Sequence, residues 1–436
     1  MKAGDVTISD MMFLRIKNLW TYYKGESLAF QCICLYLFVE FFRPQSIFPV
    51  LNFAPWAQIL LIVSFLTSFF DNKAGFKMSG MHVLVILFAL SIHLSFLVAY
   101  DVSWSQEYYI FFIQWLVVMF ITTTIVTTKE RIYVFFLVLF LCSLKIAAGT
   151  SRIWAMRGFG FTDWGLKGPP GYFQNSGELA VLMLLLFPIG YYLYSRYKND
   201  VRWWEKYILL AAAVCPVLTI LGSSSRGSQV ALMVQICFMF WKKIFRPKVL
   251  ITFAVVAWIG WSVLPEEQKE RFTSAGEDKS SVQRLLYWEN AWEMMLEHPA
   301  LGVGYYNFIP YYTRHYPEDI LYGQRAQLPH NIFFQIGTDA GFIGLFFYLL
   351  IIISSLTRNL PIKAGNYHPD DEFFLLLWKA LKLSVLGFVI AGQFVTIGYY
   401  PFLWILITFQ SCIMIAYNQH NKSRNNVHGR TSPKVE

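Results

Sequence analysis

Residues 328–354 read LPHNIFFQIGTDAGFIGLFFYLLIIIS. From Asn331 onward the segment is apolar for longer than the roughly 20 residues that an α-helix needs to cross a bilayer core. Just before it, Pro329 and His330 close a long polar stretch. One titratable imidazole therefore stands where a loop re-enters an apolar helix.

The rest of the chain repeats this pattern. Of its 436 residues 56% are hydrophobic and only 14% charged, where a soluble domain carries about 25% charge. Twelve runs suit spanning helices: 27–43, 52–70, 81–99, 108–126, 131–148, 178–195, 206–222, 228–242, 248–264, 331–354, 375–394 and 398–416. The expected fold is an all-α integral membrane protein of about 12 transmembrane helices with one large helical outer loop. Its parts are a cytoplasmic N-terminus with an interfacial helix (1–26), helices 1–9 (27–264), the loop (265–330), helices 10–12 (331–417) and a disordered tail (418–436).

The net charge of +9 does not point to nucleic acid. Lys and Arg collect in alternate connections, among them Lys73, Lys77, Lys129 and Arg131, then Arg196 to Lys206, Lys242 to Lys248, and Arg358. The long loop has more acids than bases. This is the positive-inside pattern with both termini cytoplasmic, and the basic residues are expected to meet anionic headgroups. The six cysteines lie in or beside apolar runs, so no disulfide framework is implied. Residues 11–20 suggest a short interfacial helix. Glu40 and Lys145 are charges near span ends that can snorkel.

Polar chemistry concentrates on one side. The loop 149–177 carries Arg152, Arg157 and Lys167, then Gly168-Pro169-Pro170-Gly171-Tyr172-Phe173-Gln174-Asn175, a breaker-rich turn. Ser223-Ser224-Ser225-Arg226-Gly227 interrupts two apolar runs. It is either an anion site, since Arg offers a permanent planar donor fork, or a polar hairpin whose Arg snorkels. In 283–298 the spacing of Leu285, Trp288, Trp292 and Met295 predicts a helix whose stripe packs on the bundle, with Ser281 as its cap. Arg284 lies near its start. The aromatics that follow, from Tyr305 and Tyr306 to Tyr322, could stack on sugars or line the interface. At His330 a helix N-terminus and nearby arginines both favour the neutral imidazole, the form that accepts a proton. Gly341 and Gly344 are expected to permit close helix packing.

His330-Asn331 followed by Gly341-x-x-Gly344 resembles the signature of the bacterial O-antigen ligase and O-antigen polymerase superfamily. Ser225-Arg226-Gly227 is similar to that family's outer-face arginine motif. The segment from Ser281-x-x-Arg284 through His298-Pro299-x-Leu301-Gly302-x-Gly304 and Asn307 resembles the opening of its large loop. In the N-terminal half, Arg43-Pro44-Gln45 and Pro55-Trp56 resemble the exopolysaccharide-associated O-glycosylation ligase branch. Asn175 and Glu178 depart from the arginine-rich, Asn-rich turn that the family often shows.

The resemblance implies a GT-C-like multi-span glycosyltransferase of the bacterial inner membrane with its site on the periplasmic face. It would be inverting, with no metal and no cofactor. The donor would be a glycan on undecaprenyl diphosphate, and the acceptor a glycan, a lipid core or a protein. Arg226 and Arg284, with Ser225, would bind the diphosphate, and His330 would activate the acceptor hydroxyl. Arg152, Arg157, Asn175, Asn331, Tyr305 and Tyr306 are candidates for donor or acceptor contacts. The short segment after the last span favours a glycan or lipid-core acceptor.

Other signals are set aside. His368-Pro369-Asp370-Asp371-Glu372 falls on the cytoplasmic side, where acids open the next helix. Gly302-x-Gly304 lacks the strand and third glycine of a dinucleotide motif. Ser225 with His330 lacks the acid partner of a hydrolase. The rival class is a transporter or flippase of lipid-linked saccharides, which would hold its site near the midplane in helices broken in both halves. A catalytically inert scaffold is the third reading.

Overall fold

The computed structural model describes residues 6–431 apart from 13, 163–164, 322–324, 363–369 and most of 245–278; beyond 419 only the backbone is described. All regular elements among the described residues are helical. After a short amphipathic helix, Ile16–Gly25, come α1 (Leu28–Phe42), α2 (Trp56–Ser68), α3 (Gly80–Leu97), α4 (Val102–Ile125) and α5 (Lys129–Met156). Next are α6 (Ser176–Tyr197), α7 (Trp203–Gly222) and α8 (Arg226–Met239). The loop holds α9 (Lys279–Glu297) and α10 (Phe308–His315), and α11 (Ile332–Thr357), α12 (Asp371–Ala391) and α13 (Pro401–Thr431) complete the chain.

Eight of these are long and apolar enough to cross a membrane: α3 to α7, α11, α12 and α13 as far as Gln419. They coincide with eight of the twelve expected spans. Three further expected spans are the shorter helices α1, α2 and α8. The run 248–264 lies mostly outside the described residues, as does the beginning of the loop. The hydrophobic windows of α6 and α13 are 78% and 89% buried, against 39% for α3, α7 and α11. So α6 and α13 form the centre, and the less buried helices turn much of their apolar surface outward.

Some local expectations change. The N-terminal amphipathic helix starts at Ile16, after a turn capped by Thr7 and Asp10. Ser281 lies inside α9 rather than capping it. α13 continues to Thr431, so the polar composition from 418 does not end the helix. Arg131 does not reach toward headgroups. It is fully buried, its Nε and Nη2 donate to Glu26 at 2.9 and 2.6 Å, and Asp71 pairs with its other face. The carboxylates come from the start of α1 and the α2–α3 connection, which Arg131 on α5 ties together.

The largest departure is in α11. The helix breaks at Ala340 and Gly341, where Gly341 has φ 63° and ψ −167°. An interrupted helix leaves backbone groups that a membrane cannot satisfy, and the loop supplies their partners. Val303 N–H donates to Thr338 O at 2.8 Å, and Phe342 N–H donates to Pro299 O at 2.8 Å. Ser95 Oγ of α3 donates to the carbonyl of Asp339. A Cβ on Gly341 would lie 2.5 Å from the Ala300 carbonyl. The His298–Gly304 motif and the Gly341 motif, far apart in sequence, are thus two halves of one joint.

Candidate active site

The turn 392–400 between α12 and α13 organises one end of the bundle. His330 N–H donates to Thr396 Oγ1 at 2.9 Å, and Ile332 N–H donates to Gly392 O at 2.8 Å. Asn331 is buried. Its Oδ1 accepts from Phe333 N–H at 2.9 Å, capping α11, and its Nδ2 donates to Gln393 Oε1 at 3.2 Å. On the other flank of the turn, Phe394 lies against Gly227, one residue beyond Arg226, and Val395 lies against Gly177 at the start of α6. Three helix N-termini, those of α6, α8 and α11, therefore abut one turn.

His330 has φ 52°, a left-handed conformation that is costly for a residue with a Cβ. The Thr396 bond and the Asn331 cap hold it there. Its Nε2 lies 3.2 Å from Gln327 Oε1. Because that oxygen only accepts, the proton belongs on Nε2 and the free lone pair on Nδ1. Burial first, and the Arg284 guanidinium second, bring the imidazole down to about 4, so it is neutral at physiological pH.

Arg284 reaches this position because α9 packs along α11. Trp288, one turn further on, donates from Nε1 to Pro329 O at 2.7 Å and stacks on Phe334. Met295 packs against Gly337. The expected apolar stripe is therefore split. Trp288 and Met295 face α11, Tyr287, Ala291 and Met294 face a small core within the loop, and Leu285 is exposed.

Ser225 occupies the N-cap position of α8 without a side-chain capping bond, and Ser224 beside it has φ 58°. Ser225 N–H donates to Ser223 Oγ at 3.3 Å, while its hydroxyl donates to Ser228 at 3.0 Å. Arg226 is the first residue of α8 and is half-buried. Arg152 and Arg157, at the end of α5, are exposed, and neither hydrogen-bonds to the other candidates. Asn175 is also exposed, with Nδ2 donating to Glu178 Oε1 at 3.2 Å.

The aromatic run is mostly core. Tyr305 is 1% exposed among Tyr109, Phe112 and Tyr399, and Phe308, Tyr311 and Tyr312 form the loop's own core. Of the two candidates Tyr306 is the less buried, its ring stacked on Tyr108 at 4.0 Å; Tyr322 lies outside the described residues. The acids of 370–372 are occupied elsewhere: Asp371 binds Lys129 and Tyr417, and Glu372 binds Arg196. His368 and Pro369 lie outside the described residues.

Sequence reasoning passed over Asp339. It is fully buried in the first half of α11, facing the Tyr399 hydroxyl and the Tyr306 backbone amide. An ionisable residue inside an apolar run was the signal available. Glu178, at the start of α6 beside Tyr400, is buried as well.

The comparisons with known proteins cover two separate stretches. Residues 211–349 match the O-antigen ligase family. Residues 8–198 match a family of unknown function. No curated protein matches the chain.

Proposed function

We propose, from the match of residues 211–349 to the O-antigen ligase family, that the chain is a glycosyltransferase acting on undecaprenyl-diphosphate-linked glycan. The family match and the apolar helices support a multi-pass membrane enzyme that ligates glycans. In our reading the acceptor hydroxyl gives its proton to Nδ1 of His330 as its oxygen attacks the anomeric carbon. The bond from that carbon to the phosphate oxygen breaks, and its electron pair leaves on the diphosphate. Attack opposite the leaving group inverts the anomeric centre.

Arg284 and Arg226 neutralise the leaving group with charges that need no metal ion. Ser225 helps to open the phosphate-facing end of α8. The glycan lies toward Tyr306, and the sugar-stacking reading is kept for that ring alone. In this reading the protein sits in the bacterial inner membrane, as the family resemblance implies, and the charge distribution of the loops supports a periplasmic site.

One observation carries this reading. Arg284, from a helix in the loop, bears electrostatically on a half-buried His330, and the turn that fixes His330 also touches the start of the Arg226 helix. The break in α11 favours a second reading, a transporter of lipid-linked saccharides. Loop backbone occupies that break, which weighs toward the enzyme.

The test supplies purified protein with undecaprenyl-diphosphate-linked oligosaccharide and candidate acceptors, with chelator present. Wild type should form product, as a ladder for a polymerase or one transferred block for a ligase. His330→Asn suits the left-handed backbone but lacks a comparable base, so it should accumulate normally and lose about 10²–10⁴ in rate. Arg226→Ala and Arg284→Ala should each lose about 10²–10³. Full activity of His330→Asn would defeat the assignment of the base. Saccharide movement across vesicles without transfer would favour the transporter.

A further inference from the structure

At the end of the bundle remote from His330, α3 begins, α11 finishes and α13 passes its last described side chains. Between them lies a cleft of about 1000 Å³. Lys77 and Arg358 line it, with the amides of Asn359 and Asn418 and an apolar wall of Met78 and Met414. Among the described residues, no Asp or Glu lines it. Lys382 adds a third cation nearby, donating to Asn359 at 3.1 Å.

Arg358 lies directly over Gly80, the first residue of α3. A Cβ there would be 2.4 Å from its Nη2. A helix N-terminus carries partial positive charge, so a guanidinium set against it is repelled unless an anion lies between or beside them. Helix N-termini bind phosphates for the same reason. A second observation points the same way. A separate small pocket of about 10 Å³, which shares Ser79, Arg358 and Met414 with the cleft, is lined by Ser411, which is 3% exposed and whose hydroxyl has no hydrogen-bond partner among the described residues.

We propose that this cleft binds a phosphate ester, and that its occupant is the headgroup of an anionic phospholipid. The cations take the phosphate, and Ser411 takes a hydroxyl or water reaching inward. Met78, 56% exposed, and Met414 take the first carbons of the lipid. The source is a lipid because the cleft opens where three membrane-crossing helices end, at the depth of headgroups. This site is distinct from the glycan site and does not depend on the transferase reading.

The full chain is purified and placed in phosphatidylcholine nanodiscs with graded phosphatidylglycerol, and retained lipid is counted by native mass spectrometry. Wild type should retain phosphatidylglycerol selectively. Arg358→Gln should weaken retention about tenfold, the scale of one charge-assisted contact, and Lys77→Gln, an exposed change with little bearing on folding, by a smaller factor. Lys198→Gln, an exposed lysine at the same end, should change nothing. Equal losses in all three variants, or none in Arg358→Gln and Lys77→Gln, would overturn the site. Displacement of bound phosphatidylglycerol by millimolar glycerol 3-phosphate in wild type but not in Arg358→Gln would overturn the lipid as occupant in favour of a soluble phosphate ester.

Discussion

His330 is held neutral by two causes that respond differently to substrate. Burial is the larger and the Arg284 cation the smaller; in the proposed mechanism burial stays when donor binds, and the cation would be offset by the donor's diphosphate. A depressed imidazole is a free base above its own pKa, so acid inactivation should come late. With limiting donor, kcat/KM reports the free enzyme and should stay level from pH 8 to about 5, then fall near about 4. An ordinary histidine would begin to fail near about 6.5. At saturating donor the acid limb of kcat should move to higher pH, because the repelling charge is neutralised. Initial rates across this range under both regimes check the claim. A common acid limb near about 6.5 would show that neither burial nor Arg284 acts on the proposed base. The sequence made the neutral form legible, since a helix start and nearby arginines both lower an imidazole. The left-handed backbone was not legible, because it depends on Thr396, which folds back from 66 residues away.

At the level of elements, the joint between α11 and the loop carries the site. In sequence, Gly341 and Gly344 in an apolar run read as small residues for close packing, and Gly344 does lie against α3 at Ser91. Gly341 instead breaks its helix, because the loop's Pro299 and Val303 offer backbone partners at that place. A pattern of glycines cannot distinguish these outcomes without knowing what arrives opposite. Gly341→Ala should therefore cost about 2–4 kcal/mol, from a disallowed backbone and a Cβ driven into the Ala300 carbonyl. Thermal unfolding in detergent should show the loss, with donor affinity falling as α9, and Arg284 with it, shifts. Unchanged stability would mean that the break is not needed for folding. Arg131 teaches the same lesson from the other end. Its position in a basic connection suggested contact with headgroups, yet two carboxylates from other elements bury it.

Across the whole molecule, apolar run lengths located the eight described helices that are long and apolar enough to span, and motif order put Arg226, Arg284 and His330 forward as candidates on one side. Run length cannot reveal which helices are central, and α6 and α13 are buried by neighbours distant in the chain. That interleaving bears on the two family-matched regions, 8–198 and 211–349, which form one packed body. From the first region, α3 packs on α11, and α6 packs on both α7 and α12. Ser95 of α3 satisfies a carbonyl of the broken helix, and Asp101 and Ser105 bind Asn307 of the loop. The ligase-family region thus lacks backbone partners that only the first region supplies, and unsatisfied groups in hydrocarbon cost several kcal/mol each. A chain divided between Asp200 and Arg202, in the α6–α7 connection, should show this. The C-terminal piece expressed alone should aggregate, and co-expression with the N-terminal piece should restore a monodisperse complex, read by fluorescence-detected size exclusion. A C-terminal piece that is monodisperse and binds donor by itself would mean that the N-terminal helices form a separable domain with a task of their own.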